Sequence, residues 1–379
     1  MSERRVTVDP LGGFAGEPDA PRNVGADAAS PDPSNMTCPA PIPERARVLL
    51  GHGSGGQLSA ALMRDVIGPA LAAATPGGPL NDAAVVDVAG RRLAFTTDSF
   101  VVSPLEFPGG DIGELAVNGT VNDLAMMGAQ PLALSLAYVI EEGLPVDELR
   151  RVTESVARAA HRAGVRIVTG DTKVVGRGAA DGLFVNTGGI GLVADGVAVA
   201  ADRATAGDVV ILSGPIGLHG IAIMSVREGL DFEVEIESDT QPLHGLVAAI
   251  VAACPDVRVL RDPTRGGLAS ALNEIAAASG VGIELREEAI PVPGPVHAAC
   301  EMLGLDPLHV ANEGKLVAIV PAASTSAVLA DMRAVPSGAE AVEIGRVVAD
   351  HPTMVTLRTI VGSQRIVDML VGEQLPRIC

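Results

Sequence analysis

The chain has no tryptophan, one tyrosine and only 2% aromatic residues. That scarcity argues against single-stranded nucleic-acid binding, which relies on aromatic stacking platforms. With 47% hydrophobic residues, the core must instead be aliphatic and alanine-rich. Positive charge is also short. Lys+Arg total 27 against 46 Asp+Glu, a net charge of -19. Such a surface repels phosphate backbones and anionic lipid. It admits an anionic substrate only where Mg²⁺ or a local Lys/Arg cluster reverses the sign. Cysteines number 4, at Cys38, Cys254, Cys300 and Cys379, with no CxxC spacing. A structural zinc site or redox motif is therefore not expected, and a reducing cytoplasm suits the chain. No run of about 18 apolar residues marks a membrane span, and the N-terminus lacks a basic-then-apolar signal pattern.

What is present suggests a mixed α/β protein. At roughly 150 residues per domain, 379 residues give a prior of two domains. Residues 1–44 are rich in Pro, Asp, Gly, Ser and Ala and read as a disordered tail. The folded chain is expected to begin near Val48. Two strands are predicted over 82–102, followed by a helix over 111–128 in which Val117, Val121, Leu124 and Gly128 share one face. LALSLAYVIEE, VRIVTG and GLFVNTGGIGLVA read as strands, and DELRRVTESVARAAHRAG as a helix. A second unit begins near Asp202. Its strands are AGDVVILSG, GIEL, KLVAIV and AVEIGRVV, and its helices lie in GLHGIAIMSVREG, LHGLVAAIVAA and GLASALNEIAAASG.

Several residues carry candidate chemistry. GHGSGGQ, Gly51 to Gln57, can turn tightly and aim backbone N–H groups at an anion, although it matches neither GxGxxG nor the P-loop pattern. A plain linker is the competing reading, and His52 is the one histidine of interest. Asp82, Asp98, Asp171 and Asp262 stand at expected strand ends, where α/β sheets gather ligands. Asp123 sits on a helix with Asn118 and Asn122. Carboxylates and amides are hard oxygen ligands suited to Mg²⁺ holding a polyphosphate, though Asp is also an ordinary turn residue. In GDTKVVGRG, Lys173 and Arg177 lie in an expected glycine-flanked loop, and Arg265 precedes a helix in RDPTRGGLA. Both segments could stabilise transferring phosphate oxygens, or form surface ion pairs. Glu313 in ANEGK is a candidate general base or part of an exposed turn. Cys379 follows Pro376 and Arg377 at the last position of the sequence, where a thiol can reach into another protein's pocket.

At GHGSGGQ, DSFVVSPLEFPGGDIGELAVNGTVNDLAMMGA, GDTKVVGRG, RDPTRGGLA, ANEGK and GEQLPRIC, the chain resembles the HypE family of hydrogenase maturation factors. That family belongs to the superfamily of aminoimidazole ribonucleotide (AIR) synthetase, selenophosphate synthetase and thiamine-monophosphate kinase. The resemblance runs from about Val48 to Cys379, and PRIC is its most specific part. It implies a PurM-like, AIR synthetase-like architecture. A mixed-sheet ATP-binding and dimerisation domain would span 45–200, an α/β domain 201–365 and a flexible tail 366–379.

The activity implied is ATP-dependent dehydration of an S-carbamoyl group on Cys379 to a thiocyanate. The carbamoyl group would come from HypF, and the cyano group would pass to iron on HypC–HypD for the nickel–iron hydrogenase centre. ATP and Mg²⁺ are implied, with a homodimer and a nucleotide near the subunit interface. Asp82, Asp98, Asp123, Asp171 and Asp262 resemble the superfamily's metal positions. Gly53, Ser54, Gly55, Asn122 and Thr172 would join Asp98, Asp123, Asp171 and Asp262 around the nucleotide. Lys173 and Arg265 would stabilise phosphate charge, Glu313 would take the N–H proton, and Cys379 would carry the substrate. The competing sister activities are selenophosphate synthesis and small-molecule phosphorylation. Selenophosphate synthetases usually place Cys or selenocysteine and Lys in the glycine loop, which here has His52 and Ser54. A non-catalytic scaffold would leave the clustered Asp residues unexplained.

Overall fold

In the computed structural model, the described residues are 47–75, 79–229 and 235–372, and they belong to a compact unit that starts at Glu44. The expected tail over 1–44, Cys38 and Cys379 fall outside the described residues. The first part contains helices α1 (Gln57–Leu62) and α2 (Gly68–Leu71), then strands β1 (Ala84–Val88) and β2 (Arg91–Phe100). A small hairpin, β3 (Glu106–Phe107) and β4 (Gly110–Asp111), leads into α3 (Ile112–Met126). Strand β5 (Ala129–Glu141), helix α4 (Val146–Arg162), and strands β6 (Arg166–Val175) and β7 (Leu183–Val193) follow.

These strands form a five-stranded sheet ordered β1-β2-β7-β5-β6, in which β5 and β6 are parallel and the other pairs antiparallel. Helix α3 starts where the Asp111 carboxylate accepts from the Gly113 and Glu114 N–H groups, at 2.7 and 2.9 Å, an N-cap that satisfies two orphan donors. Its residues are buried almost all round, as expected of a helix wedged between layers. Helix α4 is amphipathic: Val152, Val156 and Ala159 face inward, while Asp147 and Glu148 begin it and His161 and Arg162 end it, complementing the helix dipole.

The register of this sheet decides where its acids point. Asp98 on β2 pairs with Thr187, Thr187 with Leu136, and Leu136 with Gly170. Asp171 is one residue further on, so strand alternation sends its side chain to the other face. Between the pairs Leu134–Ile167 and Ser135–Thr169, strand β6 carries one extra residue, Val168, which is a β-bulge. GDTKVVGRG is therefore not a loop through Lys173, because β6 runs to Val175. The cause is the length of β5, a partner too distant in sequence for local pattern to reveal.

The second part contains β8 (Val209–Leu212), α5 (Leu218–Arg227), α6 (His244–Ala253), β9 (Val259–Arg261), α7 (Gly267–Ser279) and β10 (Gly282–Arg286). It continues with α8 (Gly294–Leu303), β11 (Val317–Val320), α9 (Thr325–Arg333), β12 (Val342–Val348), β13 (Val355–Arg358) and β14 (Gln364–Val367). Its sheet is ordered β14-β13-β10-β12-β8-β11-β9. The central strands VVIL and VAIV are buried throughout, the pattern of strands covered on both faces. One side packs Leu268, Leu272 and Ile275 of α7, the other Leu246 and Ile250 of α6 with Val328 and Met332 of α9.

Candidate active site

Six acids from distant segments line a cavity of about 270 Å³: Asp82, Asp98, Asp123, Asp262, Glu274 and Glu313. Asp98 reaches it from β2 and Asp123 from α3. Asp262 follows β9, and Glu313 precedes β11. Thr96 ties two of them together, its Oγ1 donating to Oδ2 of Asp123 (2.8 Å) and to the Asp82 carbonyl (3.0 Å). Arg261 Nη1 lies 3.0 Å from Asp82, and Arg261 Nη2 also pairs with Glu274. The Glu313 N–H donates to Oδ1 of Asp239 (3.0 Å), and its carbonyl accepts from Asn122 Nδ2 (3.3 Å). Lys315 Nζ stands 3.6 Å from the other Asp239 oxygen. Oε1 of Glu313 is buried without a hydrogen-bond partner.

Burial raises Asp82, Asp98, Asp123, Asp262 and Glu313, and neighbouring acids add to the effect at all but Asp98. Burial pushes Asp82 up to about 6 despite Arg261, and burial with Asp82 nearby pushes Asp262 up to about 8. Burial and the surrounding acids hold Asp123 and Glu313 well above the usual carboxylate range, and burial also raises Asp98. Like charges in a low-dielectric cavity favour protonation unless a cation enters. An all-oxygen donor set with a partnerless buried carboxylate oxygen fits a hard divalent ion. Among the described residues, no three His, Cys, Asp or Glu side chains group closely enough to hold a metal alone. Mg²⁺ needs only one or two carboxylates, with water and phosphate oxygens as its other ligands.

Arg265 and the start of α7 supply the opposite charge. The backbone here requires glycine: Gly266 and Gly267 have φ of 76° and 62°. A Cβ on Gly266 would lie 2.1 Å from Ser270 Oγ, and one on Gly267 would lie 2.5 Å from the Leu308 carbonyl. The tight turn brings Arg265 and the first turn of α7, with Ser270 and Ala271, to the cavity wall, and a helix N-terminus of this kind favours anions.

Other expected residues lie elsewhere. Asp171, Thr172 and Lys173 are exposed on edge strand β6 and do not line this cavity. Asp171 and Lys173 pair at 2.6 Å on the open face of the sheet. Asn122 is buried, and its amide is occupied: Oδ1 accepts from Leu243 N (2.8 Å), and Nδ2 donates to the Gln241 and Glu313 carbonyls. It braces the cavity wall rather than presenting a free ligand. Asn118 Nδ2 donates to Thr240 Oγ1. In the glycine loop, the N–H groups of Ser54 and Gly55 already have acceptors in Gly51 O and Ser59 Oγ, so they are not aimed at an anion. Gly55 lines the cavity, Gly53 contributes its carbonyl to Arg265, and His52 bonds back to Leu49. Sequence reasoning missed Thr96, Asp239, Arg261 and Glu274. Only Arg261 had a signal, its place beside Asp262.

A mixed sheet and a second α/β layer enclosing an acidic, arginine-rimmed cavity define a class, the AIR synthase related proteins. Residues 80–193 match the family model "AIR synthase related protein, N-terminal domain", and 205–357 match its C-terminal domain. The carbamoyl dehydratase HypE of Azotobacter vinelandii is 55% identical over 328 residues, covering 86% of this chain and 96% of that protein. A crystal structure of HypE in complex with ATP has a TM-score of 0.74 at 46% identity, covering 88% of this chain and 100% of that one. A HypE–HypF complex has a TM-score of 0.76 at 47% identity, covering 81% and 100%. The chain belongs to the HypE family of carbamoyl dehydratases.

Proposed function

We propose that this protein uses ATP to dehydrate an S-carbamoyl group on Cys379 to a thiocyanate, the source of cyano ligands for a nickel–iron hydrogenase. The observation that carries this reading is the position of the acidic cavity beside the base of the C-terminal arm. Gly55 lines the cavity, and next to it Ser54 Oγ, which donates to the Gly51 carbonyl at 2.8 Å, also lies 3.4 Å from the Gly372 carbonyl. Seven residues (379 − 372) follow, enough chain to span about 25 Å when extended. Cys254 and Cys300 are poor substitutes, since both are buried and burial pushes the Cys300 thiol up to about 11.

The amide oxygen is a poor leaving group, so it is first phosphorylated. The carbamoyl oxygen attacks the γ-phosphorus, the bond to ADP breaks, and one N–H proton leaves. The product is an iminophosphate. Loss of the second N–H proton then drives cleavage of the C–O bond, giving S–C≡N and inorganic phosphate. In this reading Glu313 accepts a proton, its carboxyl held above the usual carboxylate range by burial and then by the surrounding acids. Arg265 faces the developing phosphate charge. One or two of Asp82, Asp98, Asp123 and Asp262, together with phosphate oxygens, would hold Mg²⁺, which would supply charge neutralisation for in-line phosphoryl transfer.

Asp171, Thr172 and Lys173 act, in this reading, on the nucleotide of a second copy. Their face of the first sheet also carries exposed Val86, Val88, Phe95 and Ile190, and β6 is an unpaired edge. Phe95 is 52% exposed. Covering this face and edge is what a homodimer would do. A HypF-type carbamoyltransferase loads the arm, and a HypC–HypD-type complex receives the cyano group, in the cytoplasm. Among the described residues, no helix is long and apolar enough to cross a membrane.

The test is the mass of the C-terminal peptide. With carbamoyltransferase and carbamoyl phosphate, Cys379 gains a carbamoyl adduct, and adding ATP removes one water from it. Cys379→Ala abolishes both changes while leaving the fold intact. An adduct on Cys254 or Cys300 would overturn the proposal.

A further inference from the structure

Two residues of the Gly51–Gln57 segment, Ser54 and Gln57, reach the stretch 368–372. Gln57 N donates to the Leu370 carbonyl (2.7 Å), and Gln57 Nε2 to Asp368 Oδ2 (3.3 Å) and the Met369 carbonyl (3.4 Å). Ser54 Oγ reaches the Gly372 carbonyl. From the other side, His309 Nε2 meets the Asp368 carbonyl at 2.8 Å. The approach is close enough that a Cβ on Gly56 would lie 2.4 Å from the Leu370 carbonyl oxygen. The opposite flank of the same loop is the cavity wall. A Cβ on Gly55 would lie 2.6 Å from the Arg265 carbonyl oxygen, and Arg265 Nη1 donates to the Gly53 carbonyl at 3.2 Å.

We infer that Gly51–Gln57 is a bracket that fixes the root of the C-terminal arm, Asp368–Gly372, to the cavity wall, and not a phosphate cradle. This rests on the proposal that Cys379 carries the substrate. The bracket sets the point from which the thiol reaches the nucleotide. Strand β14 ends at Val367, so releasing the root lengthens the stretch between the last fixed residue and Cys379 from 7 residues (379 − 372) to 12 (379 − 367). Effective concentration falls roughly as the −3/2 power of tether length, a loss of about twofold. Loss of orientation raises the penalty to about tenfold or more, because misplacement of about 1 Å is costly in intramolecular reactions.

Full-length Gly56→Ala and Gln57→Ala variants test this. Gly56→Ala pushes Leu370 away, and Gln57→Ala removes the side-chain bonds without altering the backbone. Each is loaded on Cys379 by the carbamoyltransferase and followed in single turnover over a range of ATP concentrations. The maximal rate of water loss falls between about twofold and tenfold, the half-saturating ATP concentration stays at the wild-type value, and amide exchange speeds up over 368–372. A raised half-saturating ATP concentration with an unchanged maximal rate would overturn the bracket in favour of a phosphate cradle. Wild-type values for rate and exchange in both variants would also overturn it. If the wild-type protein itself loses no water from the Cys379 adduct, the proposed function fails, and exchange over 368–372 in the variants still decides whether the bracket holds the root.

Discussion

Asp98 and Asp171 sit one register row apart on opposite faces of one five-stranded sheet. One carboxylate opens into the acidic cavity and the other onto the exposed face. If both serve a single nucleotide, two copies of the chain must supply them. Asp98→Asn and Asp171→Asn should each be nearly inactive alone. Mixed by co-refolding, they should regain about a quarter of wild-type turnover, since half the dimers are mixed and each mixed dimer keeps one intact site. No recovery in the mixture would place both acids in the same subunit's site.

Glu313 offers a cleaner substitution. Its Oε1 has no hydrogen-bond partner in the protein, so Glu313→Gln breaks no bond at that atom. The expected result is a folded protein with KM for ATP barely altered and kcat lowered by about 10²- to 10⁴-fold, the range for removing a general base. Steady-state kinetics on the carbamoylated protein measure this. A variant with wild-type kcat would remove Glu313 from the proton transfer.

Stability without metal should fall as pH rises. The carboxyls of Asp82 and Asp262, at about 6 and about 8, bind protons more tightly in the fold than in the unfolded chain. Their contribution is fully present below the unfolded value of about 4 and is lost as pH rises through about 6 and then about 8. Asp262→Asn should therefore raise the metal-free Tm at about pH 8 and leave it nearly unchanged at about pH 3, below the unfolded value. Thermal melts in chelator would show this crossover, and a pH-independent difference would contradict it.

Much of this arrangement was legible in sequence. Helix α4 at Val146–Arg162 and helix α7 at Gly267–Ser279 follow apolar periodicity and end signals that are local. Asp82, Asp98, Asp123 and Asp262 read as a cluster because they stand next to strand ends or beside amides. What could not be read was pairing. The extension of β6 through Lys173 depends on β5, and the occupation of the Asn122 amide depends on Gln241, Leu243 and Glu313. Helices α8 and α9 and strands β13 and β14 lay outside the pattern reading. The glycine loop drew attention for a sound reason, its freedom to approach closely, but sequence does not say what it approaches.

The extra residue in β6 has a larger effect than its size suggests. Paired without that bulge, Val168 would face Ser135, Asp171 would face Tyr138, and the Asp171–Lys173 couple would turn to the face that carries Asp98. In the proposed dimer, which subunit's nucleotide they meet thus depends on a one-residue bulge rather than on the identity of either side chain. Straightening the bulge while keeping every residue would be the shortest route by which such a fold could exchange a shared site for a private one.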